Sequence, residues 1–399
     1  MKLFMKPNGG GETVSVSPAE EVDWGQNLPA IPSSTGVFWP SIAVGILCAV
    51  MGFYLILTPV PESNGKTQAS LTPQPLATKS PDSTPHSEGV KVLRCGFVDS
   101  KDSTFALAME EFAKEVERRT DGEMVIELLP GGLVDGRKLA ERELVDAVVN
   151  GRLSMALSTT SPLTNFNHNL DIFDLPLLLE DYQHADAVLD GPVGDELLNC
   201  LSEHNLKGLA YFEVGFRIFS SSIPLPDYES FKGKKLRVMQ SVTFSRFIKA
   251  IEGDPVPAPV DKIYDMGKEG YIDGADRTYP TYWDFRLYDV HRFISETRHA
   301  YSVKMILIDH KLFESLPPEH QEALSESARA ASILQRKKQR EADQSVKQMA
   351  LEEGIKIFEM SDEDRQQFVD ASVELYDEYR KNQSSELLEK VQASATNKK

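Results

Sequence analysis

Hydrophobic residues follow three different patterns along the chain. Residues 37–57 form an uncharged apolar run, which is about the 20 residues that a helix needs to cross a bilayer. From residue 90 onward, short apolar runs of strand length alternate with segments whose apolar residues recur at helical spacing. Residues 319–353 contain no glycine or proline, which predicts one long amphipathic helix. The order of these patterns predicts a membrane helix followed by an α/β body.

The alternation of strands and helices occurs in two consecutive units. The first unit predicts strands at 92–98, 124–129 and 153–157, a helix that begins at Ser103 or Thr104, and a second helix at 138–150. The second unit predicts strands at 209–212, 237–239 and 255–257, with a helix at 243–251. One more helix follows Ser361 and carries Phe368, Val373 and Tyr376 on its apolar face. Alternation at this pace predicts largely parallel sheets covered by helices.

The apolar run at 37–57 is interpreted as an uncleaved transmembrane signal anchor. A cleaved signal peptide would begin with a short basic leader, whereas a polar extension of residues 1–36 comes first here. Cys48 lies inside the run without the small residues expected before a lipidated cysteine, which disfavours a lipoprotein. Residues 61–89 are rich in proline, serine and threonine, and such a segment buries too little apolar surface to fold. We therefore expect a disordered linker at 61–89.

The composition argues against several classes of protein. A formal net charge of -18 disfavours a nucleic-acid-binding protein, because such a protein needs a basic surface. The sequence contains no phosphate-binding loop, nucleophile elbow or zinc-binding pair on a helix, so we expect no cofactor, no metal ion and no enzymatic activity. The three cysteines match no metal-ligand spacing. For Cys95 and Cys200, two buried free thiols are favoured over a bridge.

Three arginines each lie beside a turn marked by glycine. They occur in the segments Gly215-Phe216-Arg217, Gly233-Lys234-Lys235-Leu236-Arg237 and Gly274-Ala275-Asp276-Arg277. The planar guanidinium group holds a carboxylate through two parallel hydrogen bonds, and it stays charged at any working pH. A carboxylate clamp is therefore the first hypothesis for this chain. The alternative for each residue is an ordinary solvated arginine on the surface.

An ordered series of motifs runs from residue 92 to about residue 379. Its members include Arg119-Thr120-Asp121-Gly122, Asp174-Leu175-Pro176-Leu177-Leu178-Leu179-Glu180-Asp181, Val188-Leu189-Asp190-Gly191-Pro192, Phe231-Lys232-Gly233-Lys234-Lys235-Leu236-Arg237-Val238, Gly270-Tyr271-Ile272-Asp273-Gly274-Ala275-Asp276 and Leu316-Pro317-Pro318-Glu319. With these motifs in this order, the chain resembles the solute-binding subunit of TRAP transporters, the DctP-like family.

The resemblance implies a two-lobed fold of the periplasmic-binding-protein type, with hinge strands and a long spanning helix. We expect lobe I at 90–214, lobe II at 215–300, hinge-crossing and long C-terminal helices at 301–380, and a flexible tail at 381–399. The lobes of such a protein close around a small organic acid and deliver it to the TRAP permease subunits in the membrane. The arginine matching Arg237 makes the main salt bridge to the ligand carboxylate in that family, and the one matching Arg217 assists.

The chain departs from the family pattern at Arg277, where relatives usually carry an asparagine that touches the ligand. One explanation is a third cationic contact, which would favour a dicarboxylate or a sugar acid. The other is that Arg277 pairs with Asp276 or Asp273 and does not meet the ligand. The two explanations stay open at the level of the sequence.

Further candidate contacts come from both lobes. Ser158 and Thr159 fall where relatives often place polar ligand contacts, and their hydroxyl groups could donate to a hydroxy acid. Asp276 belongs to the same segment as Arg277, and Tyr279 is expected to form a wall of the cleft or a part of the core. These four residues complete the predicted binding site.

The predicted function is capture of an organic acid by a periplasmic domain that an N-terminal helix anchors to the cytoplasmic membrane. Members of the family are normally free in the periplasm or lipid-anchored, so the anchor is a second departure. The alternative is a membrane-anchored sensor or scaffold that uses closure of the same fold to signal. Genes for permease subunits beside this one would favour transport, whereas a gene for a kinase or cyclase would favour sensing.

Overall fold

Two α/β lobes, each with its own β-sheet, make up the folded body. The computed structural model describes residues 89–395. The strands in chain order are β1 (Lys91–Gly96), β2 (Met124–Leu129), β3 (Leu133–Val134), β4 (Arg137–Lys138), β5 (Met155–Thr159), β6 (Leu206–Phe216), β7 (Ile218–Ser221), β8 (Lys235–Val238), β9 (Asp254–Pro257), β10 (Gly274–Arg277), β11 (Phe293–Glu296), β12 (Tyr301–Asp309) and β13 (Lys356–Glu359). The α-helices are α1 (Thr104–Arg119), α2 (Glu141–Val149), α3 (Tyr182–Leu189), α4 (Pro192–Asn199), α5 (Val242–Ala250), α6 (Ile263–Lys268), α7 (Tyr279–Asp284), α8 (His310–Glu314), α9 (Pro318–Glu352), α10 (Asp362–Ala371), α11 (Val373–Asn382) and α12 (Ser385–Ser394).

The strand order is β2-β1-β5-β12-β6 in lobe I and β13-β11-β7-β10-β8-β9 in lobe II. Strand β1 is parallel to β2 and β5, and β8 is parallel to β9 and β10. Strand β12 is antiparallel to β5 and β6, and β7 is antiparallel to β10 and β11. Both sheets are therefore mixed, and the prediction of largely parallel sheets is wrong. The reason is that β6 leads out into β7 while β11 returns into β12, so outgoing and returning strands pair in opposite directions.

The hinge lies where these two strand pairs pass from one lobe to the other. The backbone amide of Arg217, between β6 and β7, donates to the carbonyl of Ala300 (2.8 Å), and the amide of His299 donates to the carbonyl of Arg217 (3.2 Å). Residues 301–309, expected to be part of the hinge-crossing segment, form the strand of lobe I between β5 and β6. Arg217 is thereby fixed at the crossing point itself.

Helix α9 packs against α1 and β6 of lobe I and against α7 of lobe II. Its 35 residues confirm the predicted long helix, which begins at Pro318 because the first turn needs no amide donor there. Gln335 accepts from the amide of Glu213 (2.6 Å) and donates to its carbonyl (2.9 Å), and Gln339 donates to the carbonyl of Val214 (3.0 Å). The pairing of β6 with β12 is irregular at this point, so these buried amides satisfy backbone groups that the ladder leaves unpaired.

Across residues 89–395, the buried apolar side chains form three clusters. One lies between the lobe I sheet and α1 with α9, and includes Phe112. A second begins under the opposite face of that sheet and continues across the hinge into lobe II, where it includes Phe219 and Phe247. A third covers the other face of the lobe II sheet and includes Tyr282. The second cluster contains residues of both lobes, so it packs the two lobes together at the hinge.

The C-terminal segment departs from the expectation in two places. The single helix predicted after Ser361 is divided at Ser372, and Val373 lies 51% exposed at the start of α11 rather than on an apolar face. The expectation of a flexible tail is wrong for α12, because Leu387, Leu388 and Val391 are buried. Helix α12 packs against α3 and α4 of lobe I. Only three of the ten residues of α12 are buried apolar residues. So few apolar positions in the sequence do not distinguish a helix that packs on the body from one exposed to solvent.

Within residues 89–395, no helix combines the length and the apolar character that crossing a membrane requires. The predicted extension 1–36 and anchor 37–57 lie outside the described residues, as does the linker 61–89 apart from its last residue. Cys95 and Cys200 are free thiols, the first buried and the second half-buried.

Candidate functional site

The candidate site lies where the strand ends of the two lobes face each other. Arg237 and Arg277 lie at the carboxyl ends of the parallel strands β8 and β10 in lobe II. Thr159 ends β5 in lobe I, and Asp99 follows the end of the parallel strand β1. Ligands of open α/β sheets bind outside the carboxyl ends of such strands. We therefore take these two edges, one from each lobe, as the sides of the candidate binding cleft.

Arg217 and Arg237 share the carboxylate of Asp276, which is fully buried. Arg217 Nε donates to Asp276 Oδ2 (2.7 Å), and Arg237 Nη1 lies 3.5 Å from Asp276 Oδ1. Arg217 Nη1 also donates to Ser302 Oγ (3.3 Å). Arg237 donates from Nε (2.8 Å) and Nη2 (2.5 Å) to the carbonyl of Ala258, which fixes its guanidinium plane. Burial lowers the pKa of Arg237 to about 10, so its cationic form persists at neutral pH.

Arg277 is 1% exposed, and none of its three guanidinium nitrogens has a hydrogen-bond partner among the described residues. Its two expected partners are engaged elsewhere, because Asp276 receives Arg217 and Asp273 accepts from the amide of Lys235 (2.8 Å). The local ion pair proposed for Arg277 is therefore not formed. Burial and the neighbouring charge of Arg237 lower the pKa of Arg277. A buried guanidinium group without partners is energetically costly.

Ser158 and Thr159 are both engaged within lobe I. The fully buried Ser158 Oγ donates to the carbonyl of Thr159 (3.0 Å). Thr159 donates to the carboxylate of Glu141 from its amide (3.0 Å) and from Oγ1 (2.7 Å). Neither hydroxyl hydrogen is free, so each hydroxyl group keeps only its capacity to accept a hydrogen bond.

Sequence reasoning did not find Lys304, which lies on β12 opposite Thr159 and is 5% exposed. Its Nζ lies 2.6 Å from Asp99 Oδ2 and 3.5 Å from Glu141 Oε1. Burial alone would lower the pKa of Lys304, but the two carboxylates raise it overall. The signal was one lysine in the otherwise apolar run at 303–308, since a buried lysine requires nearby counter-charges.

The family model of bacterial extracellular solute-binding proteins, family 7 (DctP), matches residues 96–382. This chain belongs to that family.

Relatives with known names or structures agree with the assignment to family 7. The 2,3-diketo-L-gulonate-binding periplasmic protein YiaO of Escherichia coli strain K12 is 30% identical over 280 residues, which are 70% of this chain and 84% of that protein. The galactonate complex of the sugar acid binding protein DctPAm from Advenella mimigardefordensis has a TM-score of 0.71 at 25% identity, covering 77% of this chain and 98% of that one. A TRAP periplasmic solute binding protein from Haemophilus influenzae with bound L-gulonate has a TM-score of 0.71 at 25% identity, covering 76% and 99% of the two chains.

Tyr279 occupies a supporting position in this family 7 protein. Its hydroxyl group donates to Glu296 Oε1 (2.7 Å), and Lys347 Nζ of α9 donates to Glu296 Oε2 (2.7 Å). The ring belongs to the apolar cluster on one face of the lobe II sheet. Tyr279 therefore links α7 to β11 and α9, and its hydroxyl hydrogen is committed to that link.

Asp174, the first residue of the motif at 174–181, connects the two edges of the cleft. It accepts from Ser161 Oγ of lobe I (3.2 Å) and from Ser241 Oγ of lobe II (2.8 Å). Burial raises the pKa of Asp174 to about 7, against the opposing effect of these hydrogen bonds and of Arg217. The bridge shows that the lobe edges stand within direct contact of each other.

Among residues 89–395 no cluster of histidine, cysteine, aspartate or glutamate has the arrangement of a metal site. Of the predicted residues, the structure brings Arg217, Arg237, Arg277 and Asp276 together in one cluster. It places Ser158 and Thr159 on the lobe I edge, and Tyr279 behind the lobe II edge.

Proposed function

We propose that this chain is the extracytoplasmic solute-binding subunit of a TRAP-type transporter. It captures a small organic acid, whose carboxylate forms salt bridges with Arg237 and Arg217, and it delivers the acid to the membrane permease subunits. One observation carries the proposal: three guanidinium groups are buried beside one carboxylate, Asp276, which pairs with Arg217 and Arg237 and leaves Arg277 without a partner among the described residues. Three positive charges against one negative charge leave a formal charge of +2 at the edge of the cleft. A bound carboxylate would supply the missing negative charge.

The buried position of the arginines favours tight binding of that carboxylate. In a cleft that excludes water, a bidentate salt bridge is stronger than one on the surface. Arg237 is held in place by its two hydrogen bonds to Ala258, so little side-chain entropy is lost when the ligand binds. Arg277, which has no protein partner, adds a third donor group. We therefore assign Arg237 as the main anchor, and Arg217 and Arg277 as its helpers.

The acids named for the relatives support a sugar acid as the ligand. Those proteins bind 2,3-diketo-L-gulonate, galactonate and L-gulonate. All three acids carry one carboxylate and a chain of oxygen-bearing carbons. The cluster of arginines fits the carboxylate, and the polar edge of lobe I lies opposite.

Closure of the lobes follows from contacts that only the closed state offers. A ligand stabilises closure by no more than its extra interaction energy in that state. Arg217 lies at the hinge crossing, and Arg237 lies on lobe II, so a carboxylate between them contacts both the hinge and a moving lobe. The hinge strands provide the few backbone positions that such a motion requires.

The N-terminal segments fit a receptor that stays tethered to the cytoplasmic membrane. An anchor at 37–57 with a linker at 61–89 would hold the periplasmic domain near its permease and raise its effective concentration there. Cell fractionation with N-terminal sequencing tests this arrangement. Recovery in the membrane fraction with an intact N-terminus is the expected result, and a soluble periplasmic form that begins near Gly65 would contradict it.

Isothermal titration of the full chain in detergent with galactonate and L-gulonate tests the clamp. We expect Arg237→Ala to weaken binding by at least about 30-fold, because loss of a buried charge partner costs about 2 kcal/mol or more. Arg329→Ala is the matched control, since that arginine on α9 is 63% exposed at its side chain and should not affect binding. Normal binding by Arg237→Ala would refute the clamp.

A further inference from the structure

We propose that Asp99, Glu141 and Lys304 form an acidic subsite on lobe I, which binds the hydroxylated end of the ligand and rejects a second carboxylate. The proposal rests on the proposed function, because it assigns the other half of the same cleft. It commits this chain to acids with one carboxylate and several hydroxyl groups. Dicarboxylates of the same length are expected to bind more weakly.

The subsite lies opposite the arginine cluster. Lys304 is the register partner of Thr159, at the carboxyl end of β5, and Asp99 follows the end of β1. Ser161, two residues beyond Thr159, shares the carboxylate of Asp174 with Ser241 of lobe II. These positions place the subsite on the lobe I edge that lobe II covers.

The charges of the subsite do not balance. Two carboxylates, those of Asp99 and Glu141, surround one ammonium group, that of Lys304, which leaves a formal charge of −1. A carboxylate has about four lone-pair positions, so both groups can accept hydrogen bonds beyond those from Lys304 and Thr159. Hydroxyl groups of a ligand are donors and fit these acceptors. A second carboxylate is an acceptor only and would meet like charge.

Lys304 is already committed as the counter-ion of the subsite. Its 2.6 Å contact with Asp99 is the shorter of its two ion pairs, and its Nζ lies 4.7 Å from the centre of the Phe105 ring. A second ligand carboxylate could pair with Lys304 only by drawing its ammonium group away from Asp99 and Glu141. That exchange would leave two poorly solvated carboxylates without a cation, which costs several kcal/mol. Lys304 therefore holds the acceptors in place instead of recruiting another anion.

The two edges of the cleft therefore orient the ligand. The positive edge of lobe II takes the carboxylate, and the negative edge of lobe I takes the far end of the polyhydroxylated chain. Opposite formal charges across the cleft, +2 and −1, make the reversed orientation unfavourable. Selectivity arises from repulsion as well as from attraction.

Galactonate and galactarate provide a direct test, because galactarate carries a carboxylate where galactonate carries a terminal hydroxymethyl group. Titration of the full chain should give an affinity for galactonate at least about tenfold higher than for galactarate. Glu141→Gln and Asp99→Asn each remove one negative charge with little change of shape, so each should reduce that ratio several-fold. Glu326→Gln, on the exposed side of α9, is the control and should leave the ratio unchanged.

The outcomes separate this proposal from the proposed function. If the wild-type chain binds galactonate and galactarate equally, or if both lobe I variants keep the wild-type ratio, the subsite is refuted and the arginine clamp stands. If neither acid binds, and L-gulonate and succinate also fail, the proposed function and the subsite fall together. Melting curves of the variants show whether they are folded. The use of two independent variants keeps the test decisive if one of them is unstable.

Discussion

The two edges of the cleft solve the problem of buried charge in opposite ways. On lobe I, Lys304 has two carboxylates within reach, and Thr159 completes the bonding of one of them. On lobe II, three guanidinium groups have one carboxylate, and the nitrogens of Arg277 have no hydrogen-bond partner among the described residues. On the lobe I edge the one cation is fully paired and a formal charge of −1 remains, whereas on the lobe II edge positive charge lacks a counter-charge.

The difference in charge pairing between the two edges indicates which edge gains more free energy when a ligand binds. A buried charge without a partner lowers the stability of the ligand-free protein, and an anion that binds there recovers that loss. A fully paired cluster has little left to gain in this way and instead provides a fixed surface of acceptors. Affinity should therefore depend mainly on lobe II, and discrimination among acids mainly on lobe I.

The largest effect is expected from removing the only carboxylate of the lobe II cluster. Asp276→Asn leaves Arg217, Arg237 and Arg277 buried without a counter-charge, so the free energy of unfolding should fall by about 3–5 kcal/mol. Denaturant unfolding measures the change. Asp195→Asn is the control, because that carboxylate is largely exposed and should change stability little. A fall of less than about 1 kcal/mol would mean that Asp276 does not neutralise the cluster.

Arg277→Met should separate stability from binding. Methionine keeps an unbranched apolar stem without the charged group, so the ligand-free protein should gain about 2 kcal/mol of unfolding free energy while galactonate binds more weakly. Arg336→Met is the matched control on α9, because Arg336 is also buried but is paired with Asp186 and Asp190. That variant should lose stability and keep its affinity. A loss of stability in Arg277→Met would contradict the view that its charge is held for a ligand.

The sequence predicted the local elements better than their mutual arrangement. Strand β2 and helix α9 have nearly the predicted limits, because a short apolar run and a segment without glycine or proline leave few alternatives. The mixed direction of the sheets was missed, because the pairing of β6 with β12 joins residues about 90 positions apart and leaves no local signal.

The candidate site was predicted in the same uneven way. Arg217, Arg237 and Arg277 are candidates because each lies beside a glycine turn at a strand end or hinge, where side chains converge. Which arginine forms an ion pair with Asp276 depends on the distances between side chains in the folded protein. The local sequence does not determine those distances. Lys304 was missed because its counter-charges come from β1 and α2, far away along the chain.

The smallest of these effects concerns Asp174, the carboxyl group that bridges the lobe edges. Its pKa is raised to about 7 by burial, so the folded state binds a proton that the unfolded state releases near pH 4. Stability should therefore fall as pH rises from about 5 to 7, because the folded state binds more protons over that range.

Comparison of the wild-type chain with Asp174→Asn isolates this contribution. The difference in unfolding free energy should change by on the order of 1 kcal/mol between pH 5 and pH 7, with the variant showing the flatter profile. The subtraction is needed because burial also raises the pKa of Asp343 to about 7. Parallel profiles for the two proteins would mean that the Asp174 bridge does not take up a proton on folding.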